Sequence, residues 1–403
     1  MSLRILQIMN RVPWPLKDGG SLGYYNYTKG YAENGCSVTV VALNTSKHYV
    51  KQLPKELEQL AQWHLLACDT SVRPLHAFAN ILAGNTSYQM QRFYKRAFAD
   101  MLIGLLKRQT FDVIVFESLF VASYLKDIKP YTKALLVLRE HNIEFEIWDK
   151  LAAGCKNPIR KWYMRHLANR IKSDEVKALK LFDAYTAVTT YDAAKLKQMG
   201  CAKPILVSAA GMDLQALKPS IKAQSGCIAF IGSLEWLPNQ EAVMWFVKNV
   251  WPLVKNHPKL ISCEIAGRNM PVSFKSYADD KLMMVGEVPD AAAFLDNKQI
   301  LIVPLFSGSG IRVKIIEGMA LGKTIICTPI AWQGIQCKDR THLLEAADAR
   351  SFALAIIKCL EDETFAKQLG INARHCAEEN YENKNVTAMV INYYKDLIHE
   401  RRF

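Results

Sequence analysis

Ile300-Leu301-Ile302-Val303-Pro304-Leu305, then Phe306-Ser307-Gly308-Ser309-Gly310, then Ile311-Arg312-Val313-Lys314-Ile315-Ile316-Glu317-Gly318-Met319-Ala320, is the stretch on which the reading of this 403-residue chain turns. The unbroken apolar run is strand-length and reads as a strand buried on both faces, as in a parallel sheet. Small residues follow, and the next apolar positions repeat at helical spacing. A strand, a glycine turn and a helix in that order form half of a strand-helix-strand unit. A turn without β-carbons lets backbone N–H groups approach a phosphate closely, and the start of the helix favours the anion. Arg312 and Lys314 add full charges, and charge-assisted hydrogen bonds to a diphosphate contribute about 1.5–3 kcal/mol each. Glu317 lies one to two turns into the helix, on the face of Val313 and Ala320, and its two oxygens can accept from the vicinal hydroxyls of a ribose. The plainer reading is that a Gly-rich turn and an early Glu simply suit a helix start.

The same alternation extends in both directions and makes the fold class α/β with parallel sheets. In the first half, strands are expected near Arg4 to Met9, Ser37 to Leu43, Val113 to Phe116, Ala134 to Leu138 and Ala184 to Val188. Turn-formers then cluster at Pro204, Gly211, Lys218-Pro219 and Gln224-Ser225-Gly226, which suggests a linker. The pattern resumes at Cys227 to Ile231, Ile261 to Ala266, Met283 to Val285, Ile300 to Leu305, Thr324 to Cys327 and Leu343 to Ala346. This divides the chain into Rossmann-like domains at 1–205 and 206–384. A final helix at 385–403, with Val386, Met389, Val390, Tyr393 and Leu397 at helical spacing, is expected to cross back to the first domain.

Hydrophobic residues make up 50% and charged residues 22%, the balance of a globular protein. No apolar run approaches the ~20 residues needed to span a bilayer, and Met1 leads directly into the first strand without a leader pattern. A cytoplasmic protein is expected, with a place at the inner face of the membrane left open. The ten cysteines include no Cys-x-x-Cys pair, so they read as buried thiols rather than disulfides or zinc ligands. The formal net charge of +13 implies attraction to anions. Part of it sits at 156–180, where Lys156, Arg160, Lys161, Arg165, Arg170, Lys172, Lys177 and Lys180 face only Asp174 and Glu175. A solvated helix face and a peripheral contact with anionic lipid are the two readings of that stretch. No nucleic-acid-binding motif accompanies it.

With these motifs the chain resembles the family 4 retaining glycosyltransferases of the GT-B fold. That family places a Glu, seven residues and a second Glu at such a strand-to-helix junction, the second on the ribose of the donor and the first on its sugar. Glu317 matches the second position; Ser309 occupies the first, a departure that touches the sugar's contacts rather than the nucleotide's. Arg11-Val12-Pro13-Trp14-Pro15 with Asp18-Gly19-Gly20-Ser21 is similar to the family's Pro-rich segment and Gly-Gly loop, which implies that Gly19 and Gly20 approach the donor's phosphates and sugar. In Arg139-Glu140-His141-Asn142, after an expected strand, the resemblance makes His141 a sugar-positioning or catalytic contact. Phe230-Ile231-Gly232-Ser233-Leu234 resembles the first strand and loop of the second domain, where Gly232 would give the diphosphate room. Gly267-Arg268 and Gly286-Glu287-Val288 resemble the loops that hold the base. The family's Arg-x-x-x-x-Lys clamp is missing from the 232–239 loop, and Arg312 and Lys314 stand in for it.

The resemblance implies a retaining, metal-independent transferase of the hexosyl type. It needs no cofactor beyond its nucleotide diphosphate sugar donor, and it acts on a glycan or lipid-linked acceptor in surface polysaccharide or glycoconjugate synthesis. The donor would lie between the domains, with Ser307, Gly308, Ser309, Gly310, Arg312 and Lys314 stabilising the departing diphosphate. No Asp-x-Asp motif occurs. A nicotinamide-dependent oxidoreductase is disfavoured because Asn10 to Asp18 separate the first strand from any glycine. A sugar-nucleotide epimerase or hydrolase on the same scaffold, and a non-catalytic nucleotide-sugar-binding protein, remain as alternatives.

Overall fold

A computed structural model describes residues 2–16, 19–209, 211–219, 223–307 and 311–401. It divides into two compact units, Met1–Gly211 with Asn383–Phe403, and Met212–Glu382.

The first unit is built on seven strands: β1 (Arg4–Met9), β2 (Ser37–Thr45), β3 (Gln62–Cys68), β4 (Val113–Phe116), β5 (Leu135–Glu140), β6 (Ala184–Ala187) and β7 (Ile205–Val207). They lie in the order β3-β2-β1-β4-β5-β6-β7, and every pairing is parallel. The chain therefore winds one way from β1 to β3 and the other way from β4 to β7, so the direction reverses between β1 and β4. Successive side chains alternate faces, and both faces are covered. Leu6, Ile8, Ile114 and Phe116 enter one apolar cluster, whereas Ile5, Met9, Val113 and Val115 enter the other.

The second unit has six strands: β8 (Gln224–Ile231), β9 (Ser262–Ala266), β10 (Leu282–Gly286), β11 (Lys298–Val303), β12 (Thr324–Cys327) and β13 (Leu344–Glu345). Their order is β10-β9-β8-β11-β12-β13, again all parallel, with the reversal between β8 and β11.

Two strands escaped the sequence reading. β3 carries Gln62 and His64 and is only partly buried, so its apolar signal is diluted. β7 is three residues long. Because β7 belongs to the first sheet, that unit runs through Gly211 rather than stopping at 205. The final helix spans Asn383–Glu400 and lies within the first unit, but its buried face is Val386, Thr387, Val390, Ile391 and Tyr394. Met389, expected on that face, is exposed.

This helix packs on the helix Gly19–Glu33. Asn383 donates to the Asn26 carbonyl at 2.8 Å, and the Tyr31 and Tyr394 hydroxyls meet at 3.2 Å. The approach is close enough that a β-carbon at Gly30 would lie 2.3 Å from Thr387 Oγ1 and 2.8 Å from its Cβ. Gly30→Ala is therefore expected to destabilise the first unit by about 1–3 kcal/mol. Adding Thr387→Ala, which removes the two nearest atoms, should recover part of the loss in a urea titration of the double variant. Equal midpoints for wild type and Gly30→Ala would show that the helices separate at no cost.

Candidate functional site

In an open parallel sheet the carboxyl ends of the strands flanking the reversal diverge and leave a crevice. In the first unit these are the ends of β1 and β4, and a pocket of about 640 Å³ opens there. Its walls include Asn10 and Arg11 after β1, Gly20 and Tyr24 from the first helix, Ser118 after β4, and His141 after β5. His141 and Gly20, both singled out in the sequence, thus share one pocket. Gly19 opens the helix, and among the described residues nothing lies within 4 Å of the position of a β-carbon there.

The floor beneath His141 is polar. The alternation that sends Ile5, Val113 and Val115 to one face of the sheet sends Gln7, Glu117 and Arg139 there too, on three neighbouring strands. Arg139 Nη1 donates to Glu117 Oε2 at 2.7 Å, and Gln7 Nε2 donates to Glu117 Oε1 at 2.6 Å. Thr28 donates in turn to Gln7 Oε1 at 2.8 Å, and the Arg139 guanidinium lies 3.3 Å from the centre of the Tyr27 ring. Glu117 and Arg139 are buried, at 0% and 1% exposure. Burial alone would raise the Glu117 carboxyl. The Arg139 charge outweighs it, with help from His141 and Gln7, and holds the group below its usual range. His141 Nε2 stands 3.6 Å from Glu117 Oε2, and its ring meets Tyr24 edge-on at 4.9 Å. Burial and the Arg139 charge push the imidazole down despite Glu117, so it is neutral at pH 7.

Glu140 points to the opposite face, where burial and the neighbouring Glu175, Glu144 and Asp192 push its carboxyl well up. Glu144 is raised to about 7 by burial. Glu175 is raised to about 8, chiefly by burial, although it accepts from the Glu144 and Phe145 backbone amides at 2.7 and 3.2 Å. Glu117 and Glu144 were absent from the sequence reading. The signal that could have found Glu117 is a carboxylate directly after the four apolar residues Val113–Phe116, at a carboxyl edge.

In the second unit the loops after β8 and β9 meet each other and the end of β10. Gly232 N donates to Ala266 O at 3.2 Å, Leu234 N to Arg268 O at 2.8 Å, and Gly267 N to Gly286 O at 2.7 Å. The helix after β11 spans Val313–Ala320, and its Gly318 lets it settle on Leu301, whose Cδ2 would be 2.5 Å from a β-carbon. Arg312 precedes the helix, buried at 7% exposure, with its guanidinium 5.8 Å from the centre of the Trp236 ring. Lys314 Nζ donates to Asn239 Oδ1 at 3.0 Å and sits 4.5 Å from the Phe230 ring centre. Burial, and secondarily the Arg312 charge, push its amine down to about 7 against the opposing pull of Glu317. Glu317 is half-buried, and burial raises its carboxyl while Lys314 lowers it.

Arg312, Lys314 and Glu317 therefore occupy the carboxyl edge at the β8–β11 reversal. Ser307 Oγ is 3.3 Å from Glu241 Oε2. A β-carbon at Gly232 would lie 2.4 Å from Lys314 Nζ and 2.9 Å from Asn239 Nδ2, so the missing side chain leaves room for the lysine. Arg268 is 44% exposed and 3.9 Å from Glu235 Oε2, an arrangement typical of a weak surface pair. Gly308, Ser309 and Gly310 lie outside the described residues.

Two doubly wound parallel sheets, each with polar groups gathered at its reversal point, match known architectures over the whole chain. The protein has the GT-B fold. Sucrose-phosphate synthase (tll1590) from Thermosynechococcus elongatus is similar with a TM-score of 0.70 at 14% identity, covering 98% of this chain and 100% of that one. Anabaena Alr3699/HepE in complex with UDP aligns at TM-score 0.66 and 12% identity, covering 98% and 100%. The pneumococcal O-GlcNAc transferase GtfA in complex with UDP and GlcNAc aligns at 0.63 and 11%, covering 99% and 100%. Residues 225–362, inside the second unit, match the family described as Glycosyl transferases group 1. An uncharacterized 44.6 kDa protein in the cps region of Klebsiella pneumoniae is 24% identical over 172 residues, 40% of this chain and 44% of that protein.

The lowered Lys314 amine carries a thermodynamic signature. Between about 7 and the ordinary lysine value of 10.5 the folded chain binds fewer protons than the unfolded one, so this group makes stability rise with pH across that window. Lys314→Met removes the contribution. The variant should melt above wild type at pH 7, and the difference should shrink as pH rises to 9.5. Parallel melting curves at both pH values would place Lys314 in solvent.

Proposed function

We propose that the protein is a retaining, metal-independent glycosyltransferase of family 4 that moves a hexose from a nucleoside diphosphate to a glycan or lipid-linked acceptor. The observation that carries the proposal is the pair of cations, buried Arg312 and half-buried Lys314, at the reversal point of the second sheet, with the lysine amine pushed down to about 7. An unliganded protein gains nothing from holding a lysine where its amine is driven toward neutrality, whereas a diphosphate would restore its charge. The match of residues 225–362 to a glycosyltransferase family supports this reading, and UDP in two of the similar structures suggests uridine as the base.

In the reaction, the bond from the anomeric carbon to the diphosphate oxygen breaks as the acceptor hydroxyl bonds to that carbon on the same face. The hydroxyl proton leaves with the nucleoside diphosphate. Arg312, Lys314 and the amides of the 307–310 turn would stabilise the charge gathering on the leaving oxygen. Glu317 would accept from the ribose hydroxyls. Neutral His141 would position the sugar in the pocket it shares with Gly20. The relative in a cps region supports synthesis of a surface polysaccharide.

Titration calorimetry with UDP tests the nucleotide site. Glu317→Ala should weaken binding by about tenfold or more, the loss of a hydrogen-bonded charged group, and unchanged affinity would remove Glu317 from the ribose. In an acceptor-dependent assay of UDP release, His141→Ala should lower turnover by about 10²-fold while leaving UDP affinity intact. Equal loss of binding and turnover would make His141 structural.

A further inference from the structure

The helix Pro74–Ala83 is amphipathic in the wrong sense for a soluble surface. Its inward positions are Ala77 and Asn80, both buried, whereas Leu75, Phe78 and Leu82 are exposed at 83%, 61% and 73%. These three stand at i, i+3 and i+7 and share one face, and Val72 just before the helix is 61% exposed. Single exposed apolar residues are ordinary, but an entire helical stripe of large ones marks a surface awaiting a partner. The helix is also fixed in place. Arg170 Nη1 donates to the Asn80 carbonyl at 2.5 Å and to Asn80 Oδ1 at 2.9 Å, and its other nitrogen reaches the Gly84 carbonyl.

The charge beside the stripe is positive. An open cavity of about 600 Å³ on its flank is lined by Arg73, His76, Arg92 and Lys95, against which Asp69 is already held by Arg73 at 3.0 Å. Arg170 also ties the stripe to the helix Pro158–Ala178, and Lys177, two turns further along the same side of that helix, is exposed. Near the start of that helix, Ile159 and Trp162 are exposed at 78% and 59%. Basic side chains around apolar anchors, with a tryptophan among them, are what an interfacial helix presents to headgroups and acyl chains.

We propose that the first unit docks on an anionic lipid bilayer, with Leu75, Phe78 and Leu82 entering the interface and the flanking Arg and Lys side chains on the headgroups. A second copy of this chain is the poorer occupant, because it would bring the same cations to the same face. Val72 lines the His141 pocket together with Thr70 and Ser71, so docking holds the rim of that pocket at headgroup level. An acceptor borne on a lipid carrier would then meet the pocket without leaving the membrane. That consequence rests on the proposed transfer reaction; the docking itself does not.

Flotation of the full chain with vesicles tests it, using equal parts phosphatidylglycerol and phosphatidylcholine against phosphatidylcholine alone, at 0.05 and 0.3 M NaCl. Wild type should partition at least tenfold better onto the anionic vesicles, and less well at high salt. Leu75→Ser/Phe78→Ser/Leu82→Ser should lose at least tenfold with an unchanged circular dichroism spectrum. Arg73→Gln/Lys95→Gln/Lys177→Gln should bind more weakly with a flatter salt dependence. Absence of wild-type binding at 0.05 M NaCl, or serine and wild-type proteins floating equally, would overturn the proposal. So would light scattering that shows the stripe holding a dimer which the serine variant dissolves. Because vesicle binding needs neither UDP nor turnover, its outcome is separate from that of the transfer reaction.

Discussion

The first unit is organised around a buried ion pair, Glu117 with Arg139, at the carboxyl edge of its sheet. Taking both charges out of water costs several kcal/mol, which their attraction offsets only when the remaining donors and acceptors are also satisfied. Gln7 completes one side of the carboxylate, Thr28 orients Gln7, and the Tyr27 ring covers the guanidinium. Each partner comes from a different element, so the pair joins β1, β4, β5 and the first helix at one point. The first helix is held from outside by the returning Asn383–Glu400 helix, through contacts that Gly30 makes possible. The returning helix covers Tyr31, whose ring and hydroxyl meet those of Tyr394. Breaking the pair from either side leaves an uncompensated charge, a loss of about 3–5 kcal/mol, and removes one of the two charged neighbours of the His141 imidazole.

Much of this was legible in the sequence, for a physical reason. Strands covered on both faces must be apolar throughout, so ten of the eleven expected strands kept at least most of their range, and the eleventh, Leu343 to Ala346, contracted to Leu344–Glu345. The misses follow from the same rule. β3 is an edge strand that tolerates Gln62 and His64, and β7 is too short to show a pattern. Met389 lies one position before Val390 on a helix whose buried stripe runs through 386, 390, 391 and 394, a rotation that apolar spacing alone does not resolve. Glu117 and Arg139 are 22 positions apart, and their partnership exists only because β4 and β5 are neighbours. Gly232 shows the limit most directly. A glycine after a strand signals close approach, but that the amine of Lys314 lies against it is visible only in the structure.

The cations of the second unit separate by burial. Arg268 is partly exposed beside Glu235, where water does most of the solvation and the pairing contributes little. Arg312 and Lys314 are enclosed by Trp236, Phe230 and Asn239. Aromatic faces and one amide oxygen replace water poorly for an ammonium, which is why the Lys314 amine falls to about 7. Glu317 on the same helix offsets the burial but does not cancel it. Charge held in this strained condition sits at the β8–β11 reversal, the same topological position that carries the Glu117 network between β1 and β4 in the other sheet.

The two faces of β5 put opposite electrostatics around one pocket. Arg139 lies on the side of the first helix, where its charge keeps Glu117 ionised and adds to the burial that keeps His141 neutral. Glu140, the next residue, lies on the other side, among Glu144, Glu175 and Asp192, all of which raise it. Burial favours the protonated form of these carboxyls, raising Glu144 to about 7 and, with Glu144 and Glu146 adding to it, Glu175 to about 8. A protonated carboxyl donates a hydrogen bond as well as accepting one. The wall formed by Glu140 and Glu144 is thus closer to neutral than its composition suggests, and it offers both kinds of hydrogen bond to a hydroxyl-bearing molecule. Alternation along a single strand, one residue in each direction, is enough to give the pocket an unprotonated imidazole on one side and uncharged acids on the other.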